Sequence, residues 1–147
     1  MFKALKNYHE VFRQKVKIIN ADDQALQRRG YLTQDEVKQM DIDFLVDTGA
    51  YMLCINEDIQ EQIQLPYVSD EEVVLADSSR VKMKIVGPVV IKIHNRQTAA
   101  NALVLPRNSE PLLGSIPLKD MDLLVDPLMG QLVVPKDRPY LARTIVK

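Results

Sequence analysis

Cysteine is almost missing from this sequence of 147 residues: Cys54 stands alone, and the two histidines, His9 and His94, are far apart. One thiol cannot close an internal disulfide, and one thiol with two separated imidazoles cannot build a four-ligand zinc cage, so both scaffolds are excluded within one chain. An excess of charge is missing too. Nineteen Lys and Arg against twenty Asp and Glu leave a formal charge of -1, so no positive field exists to condense onto nucleic acid or an anionic membrane. Long apolar runs are lacking: Val89 to Ile91 and Leu103 to Leu105 fall far short of the roughly 18 residues that a spanning helix needs. The stretch Met1 to Tyr8 has no compact apolar segment of the secretory type, and the expectation is a cytoplasmic chain. No internal repeat, low-complexity tract or flexible linker divides the sequence, so one domain is expected over residues 1–147.

What is present is a core. Apolar residues make up 46% and charged residues 27% of the chain, the composition of a folded domain. Phe2, Leu5, Tyr8 and Phe12 fall at helical spacing, whereas Gln14 to Ile18 alternates as a half-buried strand. Asn20-Ala21-Asp22-Asp23 supplies a helix cap with early acids, and Gly30 supplies a stop. Thr33 to Glu36 has the capping-box pattern and leads into alternation at Met40, Ile42, Phe44 and Val46. A second short helix is expected after Asn56, with Ile59 and Ile63 one turn apart and Leu65-Pro66 at its close. From Glu72 to Leu105 the chain reads as a β-meander of short strands. Ala76 to Ser79, Val86-Gly87-Pro88 and His94-Asn95-Arg96 punctuate it as turns or bends. Ile116 to Met121 suits a helical turn, and Leu123 to Val125 with Leu132 to Val134 suits a hairpin about Asp126 to Gly130. Tyr140 to Val146 suits a last strand. The fold class is mostly β with two or three short helices.

One acid stands out by its context. Phe44-Leu45-Val46-Asp47-Thr48-Gly49-Ala50 brings a carboxylate out of an apolar strand and directly into a glycine turn. Asp-Thr-Gly alone arises by chance in roughly one chain in thirty of this length, so the surroundings decide its meaning. Here they include Pro111-Leu112-Leu113-Gly114, about sixty residues on.

The two elements together resemble the signature of retropepsin-like aspartic proteases, the family of retroviral proteases and their bacterial relatives, over about residues 38–136. The resemblance implies a closed or partly closed acid-protease-type β-barrel, with terminal extensions outside that core. It implies that Asp47 is the catalytic aspartate and that the Thr48 hydroxyl locks the two halves of the active site. Gly49 and Ala50 complete the loop, with the Gly49 backbone meeting substrate, and Leu112, Leu113 and Gly114 thread beside it. Ala76, Asp77, Ser78 and Ser79 take the place of the flap tip. The chain departs from retroviral members at Tyr51-Met52, where polar or acidic residues are usual, and at Ser115-Ile116, where an Arg commonly comes first. Amide hydrolysis by this route needs two carboxyl groups about 3 Å apart, and only one Asp-Thr-Gly is present. The second acid must therefore come from a second copy, giving a homodimer that acts on peptide or protein. Neither a cofactor nor a metal is implied. The alternative is a dimeric module that kept peptide binding or scaffolding and lost turnover.

Other reactive residues read as structural. Cys54, between Leu53 and Ile55, is a small buried hydrophobe, and His94 belongs to a turn; His9 has no partner in the pattern. Asp126 before Pro127 is a turn acid, Asp41 and Asp43 mark the wet side of a strand, and Lys82, Lys84 and Lys92 line a solvated face.

Overall fold

The computed structural model describes residues 12–139. The helix read from Phe2, the strand read at Tyr140 to Val146, and His9 lie outside that range. Phe12, the last residue of the helical pattern, instead begins strand β1 (Phe12–Asn20). Its alternation is as expected: Val16 and Ile18 are fully buried, and Arg13, Lys15 and Lys17 point outward or to the rim.

A ring of six strands organises the molecule. β1 runs antiparallel to β2 (Gln39–Val46) on one side and to β5 (Arg80–Ile93) on the other. Between those two partners come β7 (Leu112–Leu113), β3 (Leu53–Asn56) and β6 (Arg96–Leu105), in the order β1-β2-β7-β3-β6-β5 with β5 returning to β1. β4 (Tyr67–Val74) hangs on the outer edge of β5. Two pairings are parallel, β2 with β7 and β3 with β6. The ring encloses Val16, Ile18, Phe44, Leu53, Ile91 and Leu113, among others, so every strand turns one face to a shared apolar interior. A separate hairpin, β8 (Leu124–Asp126) with β9 (Gln131–Val133), forms as the sequence suggests. Its turn is held by Asp126, whose Oδ1 accepts from the Leu128 and Met129 amides.

The helices are short and firmly tied. α1 (Ala21–Arg28) starts at Asn20, whose side-chain oxygen accepts from Asp23 N at 3.0 Å. The Asn20 amide reaches across to donate to Ile63 O at 3.0 Å and Gln64 O at 3.1 Å, at the end of α2 (Glu57–Ile63). The insertion is thus stitched to the rest of the fold by a side chain that is 2% exposed. Asp23, also buried, accepts from Lys38 N and pairs with its ammonium at 2.9 Å. Asn56 caps α2 through Ile59 N, and Ile59 and Ile63 face the core. α3 (Ser115–Asp120) lays Leu118 and the following Met121 over the same core.

One expected turn proves to be something else. At Gly87-Pro88 the chain does not reverse; β5 runs through, and only its register against β6 shifts between Val86 and Val89. Gly87 has φ +152, and a Cβ there would lie 2.3 Å from Asn101 Oδ1 and 3.0 Å from Asn101 Cα. The glycine marks a bulge at which β6 approaches too closely for any side chain.

Removing the Asn20 side chain deletes a helix cap and leaves one buried and one part-buried carbonyl without their donor. Asn20→Ala should lower the unfolding free energy by about 2–4 kcal/mol. A fall in urea midpoint with unchanged slope checks this.

Candidate active site

Asp47 is placed by backbone on both sides. The end of β2 lies parallel to β7, with Leu45 opposite Leu112 and Val46 opposite Leu113. Leu45 N donates to Pro111 O at 2.9 Å, and Asp47 N donates to Leu113 O at 3.1 Å. The chain then turns, with Ala50 N donating to Asp47 O at 3.1 Å and Gly49 N to Asp47 Oδ1 at 2.9 Å. Its carboxylate is therefore oriented by the loop that carries it. A Cβ on Gly49 would lie 3.2 Å from that same oxygen, so glycine keeps the space beside the carboxylate open. Asp47 is half-buried, whereas Thr48 and Gly49 are exposed on the surface of the chain.

The late motif locks the loop from behind. β7 runs between β2 and β3, antiparallel to β3 through Cys54 and Leu112. Ser115 N donates to Ala50 O at 2.9 Å and Ile116 N to Tyr51 O at 3.0 Å. Between them, a Cβ on Gly114 would meet Met52 O at 2.4 Å and Tyr51 O at 2.6 Å. Gly114 has φ -85, a conformation open to any residue, so closeness of two backbones alone requires glycine here. Ser115 and Ile116, where the sequence departs from retroviral members, hold the loop through their main-chain amides.

The flap segment is an exposed turn joining β4 to β5. Leu75 N donates to Ser79 O at 2.8 Å and Ser78 N to Leu75 O at 2.9 Å. Asp77 Oδ1 accepts from the amide and the hydroxyl of Ser79, and the Ser79 hydroxyl first, its amide second, hold this carboxyl below the usual carboxylate range. Asp77 is thereby committed to the turn. Ala76 to Ser79 are exposed throughout.

Between this hairpin and the Asp47 loop lies an open cavity of about 790 Å³, within the range of ligand-binding clefts. Gly49 to Met52 form one wall, Val68, Ser69 and Glu71 to Val74 of β4 another, and Leu103, Leu105 and Leu112 the floor. Cys54 belongs to this lining and is 5% exposed. Burial pushes its thiol up to about 11, with the negative charge of Asp47 adding to the shift. The thiol is protonated at neutral pH and is no nucleophile.

The structure brings Asp47, Thr48, Gly49, Ala50, Leu112, Leu113 and Gly114 into one constellation; Ala76 to Ser79 stand apart at the far end of the hairpin that overhangs it. Sequence reasoning missed Tyr51, Met52 and the body of β4 as cavity walls. β4 begins at Tyr67, five residues before the expected meander, and both of its faces are largely exposed, so no alternation advertised it. His94 lies in the β5–β6 turn with Nε2 2.9 Å from Leu132 O. Asp41 and Asp43 are exposed on β2. Among the described residues no group of three or more His, Cys, Asp or Glu side chains converges as a metal site, and no helix is long and apolar enough to cross a membrane.

Gly114→Ala forces a methyl group into the carbonyls of Met52 and Tyr51, the second of which also accepts from Ile116 N. A loss of about 1–3 kcal/mol or more in stability is expected, with thermal unfolding as the measure. Ser115→Ala, whose contact is main-chain, should leave it nearly unchanged.

With this geometry in place, the comparison with known families is specific. The model for gag-polyprotein putative aspartyl protease matches residues 33–120, which include the Asp47 loop, the overhanging hairpin and the Leu112 to Gly114 segment. No curated protein matches the chain.

Proposed function

The chain belongs to the gag-polyprotein aspartyl protease family, and from that premise we propose that it is an aspartic endopeptidase formed by two copies related by a two-fold axis. The observation that carries this reading is the Asp47 loop, held by main-chain bonds to the Leu112 to Gly114 segment and facing a cavity under a free hairpin. One protomer supplies one such carboxylate. Asp77, the other acid followed by a hydroxyl residue, is spent on its own turn.

In the assembled pair, Asp47 of one protomer takes a proton from water while Asp47 of its partner donates one to the peptide carbonyl oxygen. Water oxygen bonds to the carbonyl carbon and gives a tetrahedral diol. Collapse of that diol breaks the C–N bond, and the amine leaves with a proton from the dyad. Gly49 N holds each carboxylate by its Oδ1, so the geometry is set before substrate arrives. Thr48, exposed on a lone chain, is the residue whose hydroxyl would be covered at the two-fold axis. Substrate would lie extended in the cavity, pairing its backbone with strand edges. The second reading, a dimer that binds peptide without turnover, is favoured by one observation: Ser115-Ile116 follow Gly114 where retroviral members commonly have an Arg.

Asp47→Asn should abolish peptide cleavage, with a loss of at least about 10²–10⁴ in rate. Two carboxyl groups that share one proton are active only between the two apparent pKa values of the pair, so the wild-type rate should be bell-shaped in pH and peak on the acid side of neutrality. Cleavage that survives Asp47→Asn, or that a chelator stops, refutes the mechanism; no cleavage under any condition supports the binding module.

Sedimentation at tens of micromolar should show a dimer. Thr48→Val keeps the shape and removes the hydroxyl, and should weaken the dimer by about 1–3 kcal/mol for each site. An unchanged dissociation constant would separate Thr48 from the interface.

A further inference from the structure

The inward face of the flap hairpin carries a charge for which the described part of the chain holds no partner. β4 and β5 pair with Ser69 opposite Ile85, Glu71 opposite Met83 and Val73 opposite Val81, and strand alternation puts these residues on one face. Val73, Met83 and Ile85 pack with Cys54 and Leu103, which identifies that face as the one turned toward the active-site cavity. Glu71 lies in the middle of it.

Its neighbours are matched. Asp70 stands opposite Lys84 and Glu72 opposite Lys82 on the other face, and Glu72 also holds Arg80 at 2.7 Å. No ion pair or hydrogen bond engages the Glu71 side chain among the described residues. Glu71 and Glu72 are the only charged side chains that line the cavity, beside an apolar floor of Leu103, Leu105 and Leu112. Of the two, Glu71 is the one without a partner, and an unpaired carboxylate beside apolar walls selects by sign. Exposed to solvent, it attracts a cation and repels an acidic group at the same place, to a degree that salt screens.

We propose that the peptide taken by this site carries a Lys or Arg side chain that pairs with Glu71, flanked by apolar residues that cover the cavity floor. The inference rests on the peptide-binding part of the endopeptidase reading, and Glu71 is a specificity residue that touches substrate without entering the bond-breaking step. An Arg would suit it best, because a guanidinium can meet a carboxylate with two parallel hydrogen bonds.

The experiment uses one degenerate peptide mixture in two arms. In the first, the wild-type chain cleaves the mixture and the products are sequenced; in the second, immobilised Asp47→Asn chain selects from the same mixture by binding. Lys and Arg should be enriched about fivefold to tenfold at one position at low ionic strength, and the enrichment should shrink with added salt. It should vanish in Glu71→Gln, which keeps the length of an exposed side chain, and turn into enrichment of Asp and Glu in Glu71→Lys. Basic enrichment by binding without any cleavage removes hydrolysis and leaves the Glu71 pairing standing. Absence of basic enrichment in both arms, or enrichment that survives Glu71→Gln, overturns the inference.

Discussion

The approach of two backbones at Gly114 is the contact on which the site depends. With 2.4 Å between a hypothetical Cβ and Met52 O, nothing larger than hydrogen fits, and the chain on either side of that point is held by main-chain bonds. Leu113 O receives the amide of Asp47, and Ala50 O receives the amide of Ser115. β7 and the first residue of α3, close together but far along the sequence, thereby fix the two ends of the turn that carries the carboxylate. Side chains contribute little to this fixation. That explains how Tyr51-Met52 and Ser115-Ile116 can differ from retroviral members while the loop keeps its hydrogen bonds, because the amide and carbonyl groups that make them belong to every residue except proline at the donor.

The rest of the ring serves that contact at longer range. β1 pairs with β2 and β5 at once and so ties the strand leading to Asp47 to the strand that follows the Ala76 to Ser79 turn. The bulge at Gly87 lets β6 come close to β5, and β6 in turn runs parallel to β3, which follows the active-site loop. Hydrophobic burial drives the closure, since Val16, Ile91, Ala102 and Leu113 come from four different strands and share one cluster. Asn20 extends the same logic to the insertion, which would otherwise be a loop pendant from β1.

Much of this was legible in the sequence wherever local chemistry decides. The Asn20 cap, the Thr33 to Glu36 turn, the Ile59 and Ile63 spacing and the Asp126 hairpin are written in neighbouring residues, and each forms as read. Asp47 was legible because three apolar residues deliver it to a glycine turn. The Gly87-Pro88 pair misled because turn chemistry and bulge chemistry use the same residue, and the difference lies in Asn101, fourteen places later. β4 was hidden for a different reason: a strand attached by one edge, with both faces largely open, has no buried side to write into its pattern. The parallel pairings of β2 with β7 and β3 with β6 depend on contacts between distant segments, which periodicity does not report.

β4 is also the free edge of the sheet, and its outer rim of amides and carbonyls would let an extended chain add as a further strand. The same rim would serve a neighbouring copy equally well, stacking hairpin on hairpin into an aggregate. Asp70, Glu71 and Glu72 in succession meet that hazard, because two such edges laid side by side bring carboxylates together in both directions. The run of acids lets the edge remain adhesive toward foreign chains and unwelcoming toward its own.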